Sequence, residues 1–429
     1  MVLGLCAGMV AALLAGCGQD AAPGDATRAV AGLLRQRSAA VRDGDEAAFL
    51  RTVDPQAGPY RQQQRTAFRS LDALPLAAWS VRLDGTLPAT ADRTTAGVRL
   101  TYRLRGYDTG DATADQRLEF VRRDGRWYVA GSAPSSPPQP WDQGPLTVVR
   151  GTHSLVLGTG RPAAGLRDVA AVADRAVRDV SAAWGGAWAR RVVVLVPASQ
   201  AAMGELLGAG PTDYAGVAAV TTGRHRDRAP ADRVVVNPEA YDTLGALGRR
   251  IVLTHETVHV ATRAHTSPAA PLWLSEGFAD WVAFGAAGRG PRQGAPELAR
   301  AVAAGRLPRE LPADADFGRT PGDDAPGGDG LGGDGLGGDG LGAPPTGDPP
   351  TGDPPTGGDR VAEAYGAAWL AARMVADEWG ADRLVALYRA MGAAPSRAKA
   401  VGPALRAELG VDPGEFSARW RASLERELG

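Results

Sequence analysis

The sequence predicts an α+β protein built as two folded units. Three features carry that expectation. Residues 28–131 pass from helix-spaced apolar residues into strand-like runs ended by turns, a Pro-rich stretch (132–145) interrupts the chain, and residues 146–429 mix strand-like and helical patterns. At 429 residues the chain exceeds one ordinary domain. Its 44% hydrophobic content leaves ample material for cores.

Residues 1–17 read as an export signal, a continuous apolar run ending in small residues and too short for a comfortable membrane span. Leu14-Ala15-Gly16-Cys17 resembles the lipobox of bacterial lipoproteins, although no Lys or Arg precedes the apolar run. The resemblance implies lipidation at Cys17, a tether over 18–27, and anchoring to the outer face of the cytoplasmic membrane.

Within 28–131, apolar residues recur at helical spacing to about Asp54. Strand-like runs follow at Trp79–Leu83, Gly97–Arg105, Gln116–Arg122 and Arg126–Ala130, the last two joined by a hairpin signal, Arg123-Asp124-Gly125. Helices followed by a meander ending in RRDGRWYVAG resemble the cystatin-like or NTF2-like fold. No titratable cluster stands out there, so a structural or partner-binding role is expected. The prolines of 132–145 predict an extended spacer.

The second unit offers strand-like runs at Leu146–Arg150, Ser154–Leu157, Arg191–Pro197, Val217–Thr222 and Arg233–Asn237. Helices are expected at about 166–184, 243–263, 271–284 and from Arg360 to the C-terminus. Residues 318–359 are low complexity, three copies of GGDGL and then three of the PPTGD type, and predict a disordered insertion because they hold too few apolar residues for a core. Their period of five does not match nine-residue calcium-binding repeats.

With 47 basic and 48 acidic residues there is no surplus to build a nucleic-acid-binding face. Both cysteines, Cys6 and Cys17, precede the folded part, which excludes a thiolate ligand, a cysteine nucleophile and a disulfide there. Any metal must be held by His, Asp and Glu.

His255 and His259, four residues apart, fall about 40° apart around a helix and share one face, where two imidazoles can grip one ion. Glu256 is turned about 100° from His255, beside the ion, where a base can take a proton from water. From five histidines an HExxH pattern arises by chance roughly 0.003 times. Glu276, with sixteen residues between it and His259, can return on a second helix as third ligand, leaving the fourth tetrahedral position for water.

HETVH followed by PLWLSEGFADWVA resembles the gluzincins, the clan of thermolysin and the zinc aminopeptidases, and most of all the peptidase-MA-like domains of bacterial proteins. The resemblance implies a zincin-like metallopeptidase domain over 146–429 holding one zinc ion. It assigns His255, His259 and Glu276 as ligands and Glu256 as general base. Asp280, one helical turn after Glu276, takes the place of the carboxylate that orients the first histidine. Tyr365 resembles the tyrosine that many gluzincins use to stabilise an oxyanion, and Val217–Thr222 takes the place of the edge strand that pairs with substrate backbone. His265 has the wrong spacing for a third histidine ligand, while His153 and His225 read as surface residues. The chain lacks a GxMEN-like motif, with which zinc aminopeptidases recognise a free N-terminus, so endopeptidase action on peptides or proteins is expected. Two alternatives stay open: a non-catalytic envelope lipoprotein with a zincin fold, and a metal-dependent hydrolase of a non-peptide amide.

Overall fold

The computed structural model describes residues 24–88, 92–222, 231–318, 333–335 and 357–429, with the backbone alone at 333–335. The expected export segment, Cys17 and His225 lie outside the described residues.

The chain opens with three helices, α1 (Asp25–Asp43), α2 (Glu46–Arg51) and α3 (Gly58–Asp72). α1 buries Val30, Leu33, Leu34 and Val41, an apolar stripe at helical spacing. It stops at Gly44, whose φ of 69° is left-handed and free of penalty only for glycine. The sequence pattern gives no sign of α3. The polar run Arg61–Arg65 breaks the periodicity, and its main apolar contacts, Ala67, Phe68 and Leu71, come late in the helix.

Four strands follow, β1 (Leu76–Leu83), β2 (Arg93–Leu104), β3 (Ala112–Arg123) and β4 (Arg126–Ser132), an antiparallel meander in chain order. β3 turns into β4 through Asp124 (φ 48°) and Gly125 (φ 77°), both left-handed, as a two-residue hairpin of type I′ requires. The free edge of β1 is blunted by α1: Val81 N donates to Ser38 Oγ at 2.9 Å, and Arg42 donates to Trp79 O at 3.0 Å.

The stretch 132–145, expected to be an open spacer, takes part in the packing instead. Trp141 is buried, its ring centroid 5.3 Å from those of both Trp79 and Tyr102, edge-on in each case. Burying so large an apolar ring outweighs the preference of the flanking prolines for solvated, extended chain.

A second sheet combines β5 (Leu146–Arg150), β6 (Ser154–Thr159), β7 (Val192–Val196), β8 (Ala219–Thr222), β9 (Val234–Val236) and β10 (Gly333–Gly335) in the spatial order β10-β8-β9-β7-β6-β5. β6 runs parallel to β7, and β7 to β9, while the outer pairings are antiparallel. Side chains alternate between its faces. Leu155, Leu157, Val193, Leu195 and Val235 join one continuous core with Trp79, Tyr102 and Trp141 of the N-terminal unit. Val156, Val194, Val234 and Val236 join a second core shared with helices. Covered on both faces, the central strands have no use for polar alternation, hence the unbroken run Val192–Val196. A buried ion pair also ties the two units, Arg233 donating to both carboxylate oxygens of Asp108 at 2.7 and 2.9 Å.

β8 covers four of the residues expected as an open edge strand, and among the described residues it is not the edge. The backbone of β10 pairs with it, Gly333 opposite Thr222 and Gly335 opposite Val220. Part of the insertion expected to lack order is therefore a strand. Backbone pairing needs no apolar side chain, so a reading by pattern passes over it.

The helices of the second unit are α4 (Ala163–Trp184), α5 (Gln200–Leu207), α6 (Pro238–Thr243), α7 (Ala246–Thr262), α8 (Leu272–Ala287), α9 (Pro291–Gly294), α10 (Pro296–Ala303), α11 (Gly357–Trp379), α12 (Ala381–Gly392), α13 (Val401–Leu409) and α14 (Pro413–Leu428). α7 lies between two cores. Val252 and Leu253 face the sheet side, whereas Ile251, Val258 and Ala261 face α8, α11 and the C-terminal helices. Held on both sides, it is a rigid base for polar side chains. No described helix is long and apolar enough to cross a membrane.

Candidate metal centre

His255 and His259 project from one face of α7, and Glu276 reaches them from α8. The two Nε2 atoms lie 3.0 Å apart, with Glu276 Oε2 3.2 Å from His255 Nε2 and 3.6 Å from His259 Nε2. All three residues are buried. A tetrahedral zinc ion with bonds of roughly 2.0–2.1 Å sets its ligands about 3.3 Å apart, and the measured separations bracket that value. Two imidazoles and a carboxylate are also the donor types zinc takes in sites that keep a coordination position open. Among the described residues, these three form the cluster able to hold a metal.

Local structure holds α8 in place. Its first residue, Leu272, donates its N–H to Asp314 Oδ1 at 3.0 Å, and Arg397 grips both oxygens of Asp314 while donating to Ala270 O at 2.9 Å. Directly after Glu276, Gly277 lets α8 meet α11 backbone to backbone: a Cβ there would come within 2.7 Å of the Ala368 carbonyl carbon and nearer still to its oxygen.

Asp280 lies one turn beyond Glu276, and His255 Nδ1 donates to its Oδ1 at 2.8 Å. That bond keeps the proton on Nδ1 and leaves Nε2 to serve as a ligand atom. Burial pushes the His255 imidazole down, but hydrogen bonds and charges from Asp280 and Glu276 prevail and hold its pKa well above the ordinary value. Without an ion, the fold therefore favours a proton on this histidine. For Glu276, burial is outweighed by His259 and His255, which hold its carboxyl well below the usual range.

Glu256 is fully buried beside the ligands. Its Oε2 accepts from Thr221 Oγ1 of β8 at 2.7 Å, whereas its Oε1 meets no protein donor. Burial pushes this carboxyl up to about 7, against the pull of His255 and His259. A carboxyl group that titrates near neutrality suits a group that both takes and returns a proton.

Of the other residues singled out from the sequence, Tyr365 is half-buried on α11, its ring edge-on to Phe317 with centroids 5.0 Å apart. His265 packs against Trp184 at 5.5 Å, outside the cluster. His153 is half-buried and donates its backbone N–H to Asp174. Sequence reasoning missed Thr221, and no local signal marks it: the contact spans 35 residues and depends on how β8 sits against α7.

No family model matches the chain, and no curated protein is similar to it in sequence. Among solved structures it is similar to a mutant form of an M1 zinc metallopeptidase from Deinococcus radiodurans, bound to a Tyr-Ser-Ala substrate. The two share 15% identity and a TM-score of 0.35, over 82% of this chain and 70% of that one. A likeness that loose fixes neither fold nor chemistry, which rest on the geometry above.

Proposed function

We propose that the chain is a zinc-dependent peptide-bond hydrolase acting as an endopeptidase at the cell envelope. One observation carries the reading. Three buried ligand atoms stand at zinc-ligand separations, and a buried carboxylate next to them has one oxygen tethered and the other without a protein donor.

His255, His259 and Glu276 would hold the ion. Zinc bound there supplies Lewis acidity, polarising a carbonyl and making water acidic enough to lose a proton near neutral pH. Glu256 takes that proton and passes it to the leaving nitrogen, one group serving as base and then as acid. Asp280 keeps His255 in the tautomer that can ligate, and its buried carboxylate compensates charge behind the imidazole. Tyr365 is proposed to donate to the substrate carbonyl oxygen as negative charge develops on it. Cys17 is proposed to carry the lipid that keeps the protein at the outer face of the cytoplasmic membrane, with a tether shorter than the expected 18–27, since Asp25, Ala26 and Thr27 already belong to α1 and Ala26 is buried; Cys17→Ser would then move the protein out of the membrane fraction or leave its signal uncleaved.

The test is metal analysis combined with cleavage of an unbiased peptide library. About one zinc per chain is expected, lost in His259→Ala. Glu256→Gln should retain the ion while turnover falls by several orders of magnitude, because the base is gone and the ligands remain. Equal zinc in the wild type and His259→Ala, or chelator-insensitive cleavage, would overturn the proposal.

A further inference from the structure

Strand parity places Thr221 on the same face of its sheet as Ala219, the face that packs against α7. The Thr221 side chain is fully buried there. Its hydroxyl lies 2.7 Å from Glu256 Oε2 and 3.0 Å from the main-chain oxygen of the same residue. A hydroxyl has one proton to give, and the nearer, charged oxygen is the better acceptor. The next residue fastens the same strand to the same helix, Arg263 donating to Thr222 O at 3.4 Å. Sheet and helix are therefore joined in one register, and that register brings a donor to one oxygen of a buried carboxylate while leaving the other without a protein donor.

From this juxtaposition we infer that Thr221 is a positioning residue for Glu256: it clamps Oε2 so that Oε1 alone is presented to the reacting water. This rests on the reading of Glu256 as the base. Two oxygens free to exchange places would let the carboxylate rotate about its last torsion, and the productive orientation would be one among several. With Oε2 fixed, the side chain waits in a single orientation and loses little freedom on reaching the transition state. The Thr221 hydroxyl is proposed to act through Glu256, the residue that holds it. The hydroxyl is required for this and the methyl group is not, so serine should serve in its place and the isosteric valine should not.

The experiment compares Thr221→Val and Thr221→Ser with the wild type in the full chain, on a peptide that the wild type cleaves, with zinc content measured for each. The valine variant is expected to keep its zinc and its KM while kcat falls about ten- to a hundredfold, the range spanned by a lost hydrogen bond to a charged group. The serine variant should recover kcat to within a few-fold. A second measurement needs no activity. In metal-free protein, Thr221→Val should lower the melting midpoint when Glu256 is present, and should lower it much less in a Glu256→Met background, where there is no carboxylate to strand. A valine variant with wild-type kcat, a serine variant as slow as valine, or a loss carried by KM alone would each overturn the inference. So would equal melting shifts in the two backgrounds, which also decides the matter should Thr221→Val fail to retain zinc. A wild type that cleaves no peptide would count against the proposed reaction instead, and the melting comparison would still test the clamp.

Discussion

Gly277→Ala adds one methyl group to α8 beside a metal ligand. The new Cβ would stand within 2.7 Å of the Ala368 carbonyl carbon and closer to its oxygen, and both are backbone atoms of α11 that cannot rotate away. Ordinary carbon contacts begin near ~3.5 Å, so the two helices must part by about 1 Å. Overpacking of this kind costs about 1–3 kcal/mol of stability. The shift also carries Glu276, whose Oε2 stands 3.2 and 3.6 Å from the two histidine nitrogens. Metal sites tolerate roughly 0.2 Å in their ligand distances, so a displacement near 1 Å should lower zinc affinity at least tenfold. The matched control is Gly285→Ala in the last turn of the same helix, where a Cβ meets nothing within 4 Å; replacing that glycine should stabilise by at most about 0.5–1 kcal/mol. Thermal midpoints of the metal-free proteins and chelator competition for zinc read both effects. If Gly277→Ala melts and binds zinc as Gly285→Ala does, the close approach of α8 to α11 does not set the position of Glu276.

Three further outcomes are expected. Asp280→Ala should weaken zinc binding about ten- to a hundredfold, since His255 loses the acceptor that fixes its tautomer; unchanged affinity in chelator competition would remove that role. Because the pKa of His255 is raised in the metal-free fold, its protonated form stabilises that fold most fully below the ordinary imidazole pKa, a contribution lost as pH climbs through the folded value. Zinc must displace this proton, so the melting gap between loaded and metal-free protein should widen as pH rises above the ordinary imidazole value, and a gap indifferent to pH would contradict the assignment. Replacing residues 319–356 with a short linker should change stability by no more than ~1–2 kcal/mol, since closure entropy depends weakly on length; it should also remove β10 from β8 and lower KM for peptides, with calorimetry and initial rates as readouts.

The grouping of the polar residues on α7 and α8 was legible because a helix brings residues four positions apart onto one face, as with His255 and His259 and with Glu276 and Asp280. Nothing comparable exists for Thr221, whose partner is set by strand parity and by the meeting of β8 with α7, both properties of the assembled sheet. α3 escaped notice because Arg61–Arg65 interrupts the apolar pattern and the packing partners of Phe68 and Leu71 lie elsewhere in the chain. Trp141 reversed the expectation for its segment, since composition weighs the five prolines of 132–145 evenly and takes no account of where one indole goes. β10 was hidden for the opposite reason: its Gly-Asp-Gly has no side-chain pattern to read, and its pairing is made by backbone alone.

The face of the second sheet that carries Leu155, Leu157, Val193 and Leu195 rests on the N-terminal unit, and this has a consequence for how the chain comes to be folded. The N-terminal residues are made first, and until residues 154–236 have emerged their matching apolar surface has nothing to cover it. That interval is an aggregation hazard of the kind incomplete domains present during synthesis. Once covered, that surface shares one core with β6, β7 and β9, while α7 packs on the other side of the sheet. A fragment beginning at residue 146 would lack that cover and expose a row of leucines and valines to solvent. The HExxH half is thus no portable cassette: one face of its sheet is covered by the residues translated ahead of it.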